Sequence, residues 1–522
     1  MAFFSILYPS SGLHGQPRNQ EKPDFFSDLN LDQVFAPILK AKKRYELDSF
    51  FYSPLQDLDT SRYRQDIARE LENRDLRDVL DDFSRNAYDL DRSLDAVRTA
   101  LASSDPWNDT WLARGRFLDY AERYCLSLDS LSQRLASFAL VSEGMQGFSE
   151  YLRETIGSPG FRELDRRVRK LRDGFSGLRY CMLIRSGTIR VRKYEGQADL
   201  SARTMEIFGK FRQGEAKDYR HKLSEEPHAA HVEAAVLGML AQVFKEDFAD
   251  LDDFCSVHLR FDDPVILRFS REVQFYLSWF EYTAPLRDAG LAFCYPELLA
   301  VPGRLSSENS FDIALASAAP EGIVPNSFSL EPPERIIVVT GPNQGGKTTF
   351  ARMFGQLFYL ASLGLCIPGT HGVFHLPDRI LTHFGREEDL SSLDGKLQDD
   401  LVRLRRLLGS VTHRSVVIIN EIFSSTMLSD ALTLSGRMMD ALAGLGAPCV
   451  VVTFLDELAQ HGSETVSMMS TVKEDEPESR TFRIIRKPPD GLAYAHHIAM
   501  RHGLSYAQLD RRLKRESPID VS

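Results

Sequence analysis

Two stretches of the chain carry residue types whose spacing can do chemistry. The first is IIVVTGPNQGGKTTF, Ile336 to Phe350, which contains G-x-x-x-x-G-K-[ST] as Gly341, Gly346, Lys347 and Thr348. A strand-like apolar run precedes it, and a helical pattern follows with Phe350, Met353, Phe354, Leu357 and Leu360 on one face. In that setting glycines let backbone N–H groups approach phosphate oxygens, and the start of the helix adds a favourable dipole. The whole loop, Gly341, Pro342, Asn343, Gln344, Gly345, Gly346, Lys347, Thr348 and Thr349, is therefore a candidate phosphate cradle. Lys347 is placed to reach the β- and γ-phosphates and the Thr348 hydroxyl to ligate Mg²⁺, so the implied ligand is ATP with Mg²⁺.

The second stretch is VVIINEIFSST, Val416 to Thr426. Four β-branched apolar residues run into Asn420 and Glu421, which reads as a buried strand presenting polar side chains at its end. A carboxylate such as Glu421 can polarise an attacking water; the competing reading is a solvated acid at a strand end. Comparable sites carry aspartate, not asparagine, at the preceding position. The Asn420 amide oxygen still accepts from a magnesium-bound water but carries no charge. At ~4 Å and an effective dielectric near ~20, one lost unit charge is worth up to about 4 kcal/mol per unit of partner charge, and less through an intervening water. Weakened magnesium affinity is expected, with nucleotide binding retained.

These residues need elements to hold them. From about Tyr45 to Arg304 the text is mostly helical, with apolar residues at three- and four-residue intervals such as Ile67, Leu71, Leu76, Val79, Leu80 and Phe83. An exception is Cys181 to Tyr194, where Ser186-Gly187 marks a turn between two short strands. Pro302, Gly303 and Ser306–Ser310 mark a boundary. Beyond it strands at Ile336–Thr340, Ile380–Phe384, Val416–Ile419, Val450–Thr453 and Phe482–Ile485 alternate with helices, which predicts an α/β domain. The reading is a multidomain α and α/β protein: an irregular N-terminal arm over 1–45, a long, mostly helical region over 46–304, and a P-loop NTPase domain over 305–522.

Composition narrows the setting. The 522 residues carry a net charge of −11, which argues against a uniformly basic nucleic-acid coat but leaves room for a local basic face. Six cysteines lie far apart with no CxxC, as suits a reducing compartment. No apolar run approaches ~18 residues, and no positive leader precedes the short apolar stretch at the N-terminus, so no membrane segment is expected and a cytoplasmic location is. His228 and His231 are three apart, but no HExxH pattern or cysteine pair completes a zinc site.

The loop TGPNQGGKTT resembles the nucleotide-binding loop of the DNA mismatch repair MutS family. Further similarities fall in order: Val324-Pro325-Asn326 upstream, Leu363-Gly364-Leu365-Cys366-Ile367-Pro368 downstream, and Gly491, Ala493-Tyr494-Ala495, Ile498-Ala499 and Gly503-Leu504 near the end. The resemblance covers about 324–504 and implies an ABC-type ATPase domain like MutS domain V. It implies that Glu421 is the catalytic glutamate together with Lys347, that Asn326 and Asp430 contact nucleotide, and that Thr348 and Asn420, the latter through water, serve the metal. It also implies a dimer with composite sites. Asn420 is the main departure from the family; Gly395 stands where a signature serine is expected, Phe454 where a switch histidine is expected, and Phe423, Ser424 and Ser425 replace the glycines and arginine of its GRGT turn. Together they point to slower or differently gated hydrolysis, with a binding-only switch as the alternative. The family's Phe-x-Glu mismatch reader has no convincing counterpart; Phe25-Phe26-Ser27-Asp28 is the nearest text.

Between Leu164 and Lys193 lie ten Lys or Arg and two Asp. Such a cluster either contacts phosphates without sequence specificity or forms a salt-bridged helix face. The family resemblance implies a helical core or lever over 46–304 with a clamp near 164–225 that closes on DNA of particular structure, and the position of this cluster suits that tip, with Arg185, Arg190, Arg192 and Lys193 as contacts. The rival is a nucleotide-gated protein scaffold with no DNA role.

Overall fold

A computed structural model describes residues 3–9, 21–102, 110–185, 188–197, 227–385, 396–423, 426–473, 480–489 and 509. In chain order the helices of the first half are α1 (Leu31–Ala41), the single turn α2 (Asp48–Phe51), α3 (Leu58–Glu70), α4 (Arg74–Ala102), α5 (Thr110–Leu135), α6 (Glu143–Gly157) and α7 (Pro159–Gly177). A hairpin of β1 (Tyr180–Arg185) and β2 (Thr188–Lys193) follows, then α8 (Pro227–Val243), α9 (Lys245–Val257) and α10 (Pro264–Asp288). No helix among the described residues is long and apolar enough to cross a membrane.

The chain divides into two compact units. One is built from Asp78–Ala139 and Gln146–Arg271; the other from Phe3–Arg77, Leu140–Met145 and Glu272–Ser522. Compactness therefore does not divide at the expected boundaries of 45 and 304. The reason is visible in the N-terminal text, read above as an irregular arm. Phe26, Leu31, Val34 and Phe35 are fully buried, and Phe26 packs edge-on against Tyr359 with ring centroids 5.1 Å apart. These residues are core of the second unit.

That unit continues through β3 (Phe293–Cys294), β4 (Glu297–Leu299), β5 (Leu305–Ser310), α11 (Ile313–Ala318), β6 (Asn326–Leu330), β7 (Ile336–Thr340), α12 (Lys347–Ser362), β8 (Ile367–Pro368), β9 (His371–His375), β10 (Ile380–Phe384), α13 (Lys396–Ser410), β11 (Val416–Asn420), α14 (Leu428–Leu445), β12 (Cys449–Val452), β13 (Thr465–Val472) and β14 (Arg480–Arg486). Six of these strands form one sheet in the order β10-β11-β12-β7-β13-β14. The first five are parallel, and β14 closes the edge antiparallel to β13. Parallel strands with both faces covered need continuous apolar text, and IIVVT of β7 is buried at every position. Val338, Val417, Ile419 and Val451 share one core cluster beneath the strand ends. The strands expected from sequence are present, and β13 joins them.

Helix α12 differs from its one-faced reading. It is buried on all sides, Gln356 and Tyr359 included. The N-terminal segment covers the far side: Gln356 Nε2 donates to Leu29 O at 2.9 Å and Arg352 Nε to Asp28 O at 3.0 Å.

Candidate nucleotide site

The loop after β7 turns on residues with left-handed backbone, Gly341 (φ 111°), Gln344 (φ 60°) and Gly346 (φ 89°). Glycine is required at two positions for space as well. A Cβ on Gly341 would lie 2.9 Å from Ser470 O, and one on Gly345 2.2 Å from Ser470 Oγ. Ser470, near the end of β13, donates to Gly345 O at 2.6 Å. The neighbouring strand thus braces the loop. Lys347 opens α12, and its ammonium is folded onto the loop, donating to Gly341 O at 2.9 Å and Pro342 O at 3.0 Å, with Asn343 Oδ1 at 3.5 Å. Burial lowers its pKa, Glu421 opposes that shift, and Arg480 adds to it.

Two strands away, β11 ends at Asn420, with β12 between it and β7. The Thr348 hydroxyl donates to Asn420 Oδ1 at 3.0 Å. Glu421 follows with φ 54°, its N–H bonded to Val452 O, and Phe423 has φ 59°. Left-handed backbone at two non-glycine residues is costly and persists only where the surroundings fix it. Here the buried Phe423 joins the same cluster as Ile419, Met438 and Leu442, so the chain is held as it leaves the sheet. The Phe454 ring, following β12, lies 4.9 Å from Lys347 Nζ, a cation–π distance.

A cavity of about 470 Å³ borders this loop. Its lining combines Gly345 to Thr349 and Glu421 with apolar Phe311, Leu315, Ile323, Met353 and Phe482. Such a mixture offers polar groups to a triphosphate and apolar surface to a flat base. Asn326 lines the cavity, yet its amide is committed to structure: Nδ2 donates to Val324 O and Phe482 O, and Oδ1 accepts from Ile484 N at 2.7 Å. It holds β14, and with it Phe482, at the cavity wall. Asp430 is exposed in the first turn of α14 and does not line the cavity. Gly395, Ser424 and Ser425 and the stretch 491–504 lie outside the described residues. The apolar wall went unread in the sequence, because Phe311 and Phe482 belong to strand-like text far from any motif.

The basic segment splits in two. Every basic residue of α7 from Arg166 to Arg172 has a carboxylate partner: Arg166 with Glu163, Arg167 with Asp253, Arg169 with Asp165, Lys170 with Asp250, and Arg172 with Asp119 and Glu122. The hairpin differs. Its register pairs Leu183 with Arg190 and Cys181 with Arg192, so the two arginines share one face. Both are exposed, and no ion pair to either is found among the described residues. Lys193 pairs with Tyr180 on the opposite face, its Nζ 5.5 Å from the Phe244 ring. Val191 shares that face and packs on Leu240, Phe244 and Phe248. Arg185 pairs with Thr188 at the hairpin end.

A mainly parallel sheet with a glycine-rich loop after a central strand, a lysine at the head of the next helix and a polar pair at the end of a nearby strand defines a P-loop nucleotide-binding domain. Residues 337–505 match the family model of MutS domain V. Among curated relatives, Endonuclease MutS2 of Thermus thermophilus is 31% identical over 193 residues, 36% of this chain and 25% of that protein. The DNA mismatch repair protein MutS of Ruminiclostridium cellulolyticum is 28% identical over 207 residues, 38% of this chain and 24% of that protein. That of Methanothrix thermoacetophila is 26% identical over 185 residues, 35% of this chain and 22% of that protein. The chain thus matches about a quarter of the length of these relatives.

Proposed function

We propose that this protein binds and hydrolyses ATP with Mg²⁺ and uses the cycle to gate a dimeric clamp on structured or damaged DNA in the cytoplasm. The observation that carries the ATPase part is the convergence of Lys347, Thr348 and Glu421 on one cavity, with Asn420 hydrogen-bonded to Thr348 beside it. Lys347 would neutralise the terminal phosphates, Thr348 and Asn420 would hold the metal and its water, and Glu421 would polarise the attacking water. The DNA part is supported by the names of the relatives and by the Arg190–Arg192 face of the hairpin, which lacks carboxylate partners among the described residues. The dimer is proposed on family grounds, each site being capped by the partner.

A second reading, a nucleotide-gated scaffold with little hydrolysis, is favoured by the neutral Asn420 and by Phe454, which covers the ammonium of Lys347 with a ring that offers no hydrogen bond to phosphate. A phosphate-release assay separates the two. Turnover of the wild type that falls by at least about tenfold in Lys347→Ala and Glu421→Gln supports hydrolysis. Wild-type turnover no greater than that of Lys347→Ala overturns it.

A further inference from the structure

Arg480, which no motif singles out, sits on the phosphate loop. It is the first residue of β14, paired with Val472 across an irregularity in the β13–β14 ladder. Its Nε donates to Asn343 O at 3.1 Å. The position is fixed from several sides. Thr481 Oγ1 donates to Thr471 O at 2.9 Å, Asn326 bonds Phe482 O and Ile484 N, and Ser470 on β13 bonds the loop at Gly345 O. A guanidinium is thereby held at the rim of the loop by the same strand pair that braces it.

The end of the loop at which it sits identifies the phosphate it would meet. The N–H groups from Gly345 to Thr348 lie at the head of α12 and suit the inner phosphates. The ammonium of Lys347 instead reaches Gly341 O, Pro342 O and the Asn343 side chain, the stretch that also receives Arg480. Two cations therefore converge on the Gly341–Asn343 stretch at the rim of the cavity, where a terminal phosphate would lie. Among the described residues that line the cavity Glu421 brings a carboxylate, while Asn420 adds no charge. A site with two cations and one fewer anion than an aspartate-bearing site relies less on a metal to neutralise the triphosphate.

We propose that Arg480 is a binding residue for the terminal phosphate of the nucleotide, supplied in cis, and that it partly replaces Mg²⁺ in neutralising it. The proposal rests on the nucleotide-site reading above. The connection preceding Arg480 carries Glu474, Asp475, Glu476 and Glu478 in sequence and lies outside the described residues. If Arg480 served only to balance those acids, its loss would affect all nucleotides alike.

The test is calorimetric titration of the full chain with ATP and with ADP, in Mg²⁺ and in EDTA. The wild type is expected to keep ATP affinity in EDTA within about tenfold of that in Mg²⁺. Arg480→Ala is expected to lose about tenfold or more of ATP affinity in EDTA with less than about threefold change for ADP, as for loss of one charge-assisted hydrogen bond. Arg480→Lys, which keeps the charge without the planar fork, is expected to fall between and guards against a folding defect in the alanine variant. An unchanged ATP-to-ADP ratio in both variants overturns the inference while leaving the nucleotide site intact. A wild type that binds neither nucleotide overturns the site itself and the inference with it.

Discussion

The Thr348 hydroxyl donates to the Asn420 amide oxygen across 3.0 Å, joining the head of the P-loop helix to the end of β11. The contact sets the distance at which a hydroxyl and a neutral amide would share a metal and its water. Replacing the amide with a carboxylate keeps the acceptor and adds a charge. Asn420→Asp is expected to lower the Mg²⁺ concentration for half-maximal phosphate release by roughly fivefold to tenfold, corresponding to about 1 kcal/mol of charge interaction through one water. Magnesium titration of turnover in wild type and variant checks this. An unchanged midpoint would show that Asn420 does not serve the metal.

The cavity wall gives a second expectation. Phe482 has a left-handed backbone (φ 57°), and Asn326 bonds its carbonyl oxygen. If the ring stacks on the nucleotide base, Phe482→Ala should weaken ATP binding by about 1–3 kcal/mol, the scale of base–aromatic stacking. Asn326→Ala should weaken it less, and should add little in the Phe482→Ala background, because Asn326 acts by holding the ring in place. Additive losses in the double variant would instead mean that Asn326 touches nucleotide directly.

Much of this site could be read along the chain because its parts are contiguous. Gly341 to Thr349 is one run, and Asn420-Glu421 ends a strand of unbroken β-branched text. What could not be read depends on strand order. Ser470, Arg480 and Phe482 reach the loop only because β13 lies beside β7 and β14 beside β13, and nothing in TVSMMSTV announces a buried strand, since Ser, Thr and Met alternate without a clean period. The burial of Phe26 and Phe35 was hidden for a related reason. Their flanking Pro, Gly and Asn read as irregular chain, while their partners, such as Tyr359, lie some three hundred residues away. In the basic segment, composition could not separate α7, whose charges are paired, from the hairpin, because the pairing depends on Asp250 and Asp253 of α9.

That separation predicts a difference in DNA binding. Alanine at both Arg190 and Arg192 should weaken DNA binding and reduce the slope of log K against log salt by about 2, nearly one for each phosphate contact. Alanine at Arg166 and Lys170 should leave the slope unchanged, since those charges already face Glu163 and Asp250. Lys193→Ala should have a smaller effect than either arginine, because its ammonium lies over Phe244 on the other face. Fluorescence anisotropy with a branched and a linear duplex at several salt concentrations measures all three. Salt-independent binding, or none, would remove DNA from the proposed function.

Stability should depend on pH through His375. This side chain is buried on β9, its Nε2 lies 3.1 Å from Arg414 O, and burial pushes its pKa down from 6.5 to about 4. Between those values the unfolded chain binds a proton that the folded chain does not, so stability is fully present above the unfolded value of 6.5 and is lost as pH falls toward 4. At roughly 1.4 kcal/mol for each pH unit the loss amounts to about 3 kcal/mol. His383, also held down by burial and by Arg403, contributes in the same direction against the opposing pull of Asp400. Urea unfolding at pH 7, 6 and 5 should therefore show falling midpoints for the wild type and a shallower fall for His375→Gln, which can still donate to the Arg414 carbonyl but does not titrate. Equal pH dependence in the two proteins would place the acid sensitivity elsewhere.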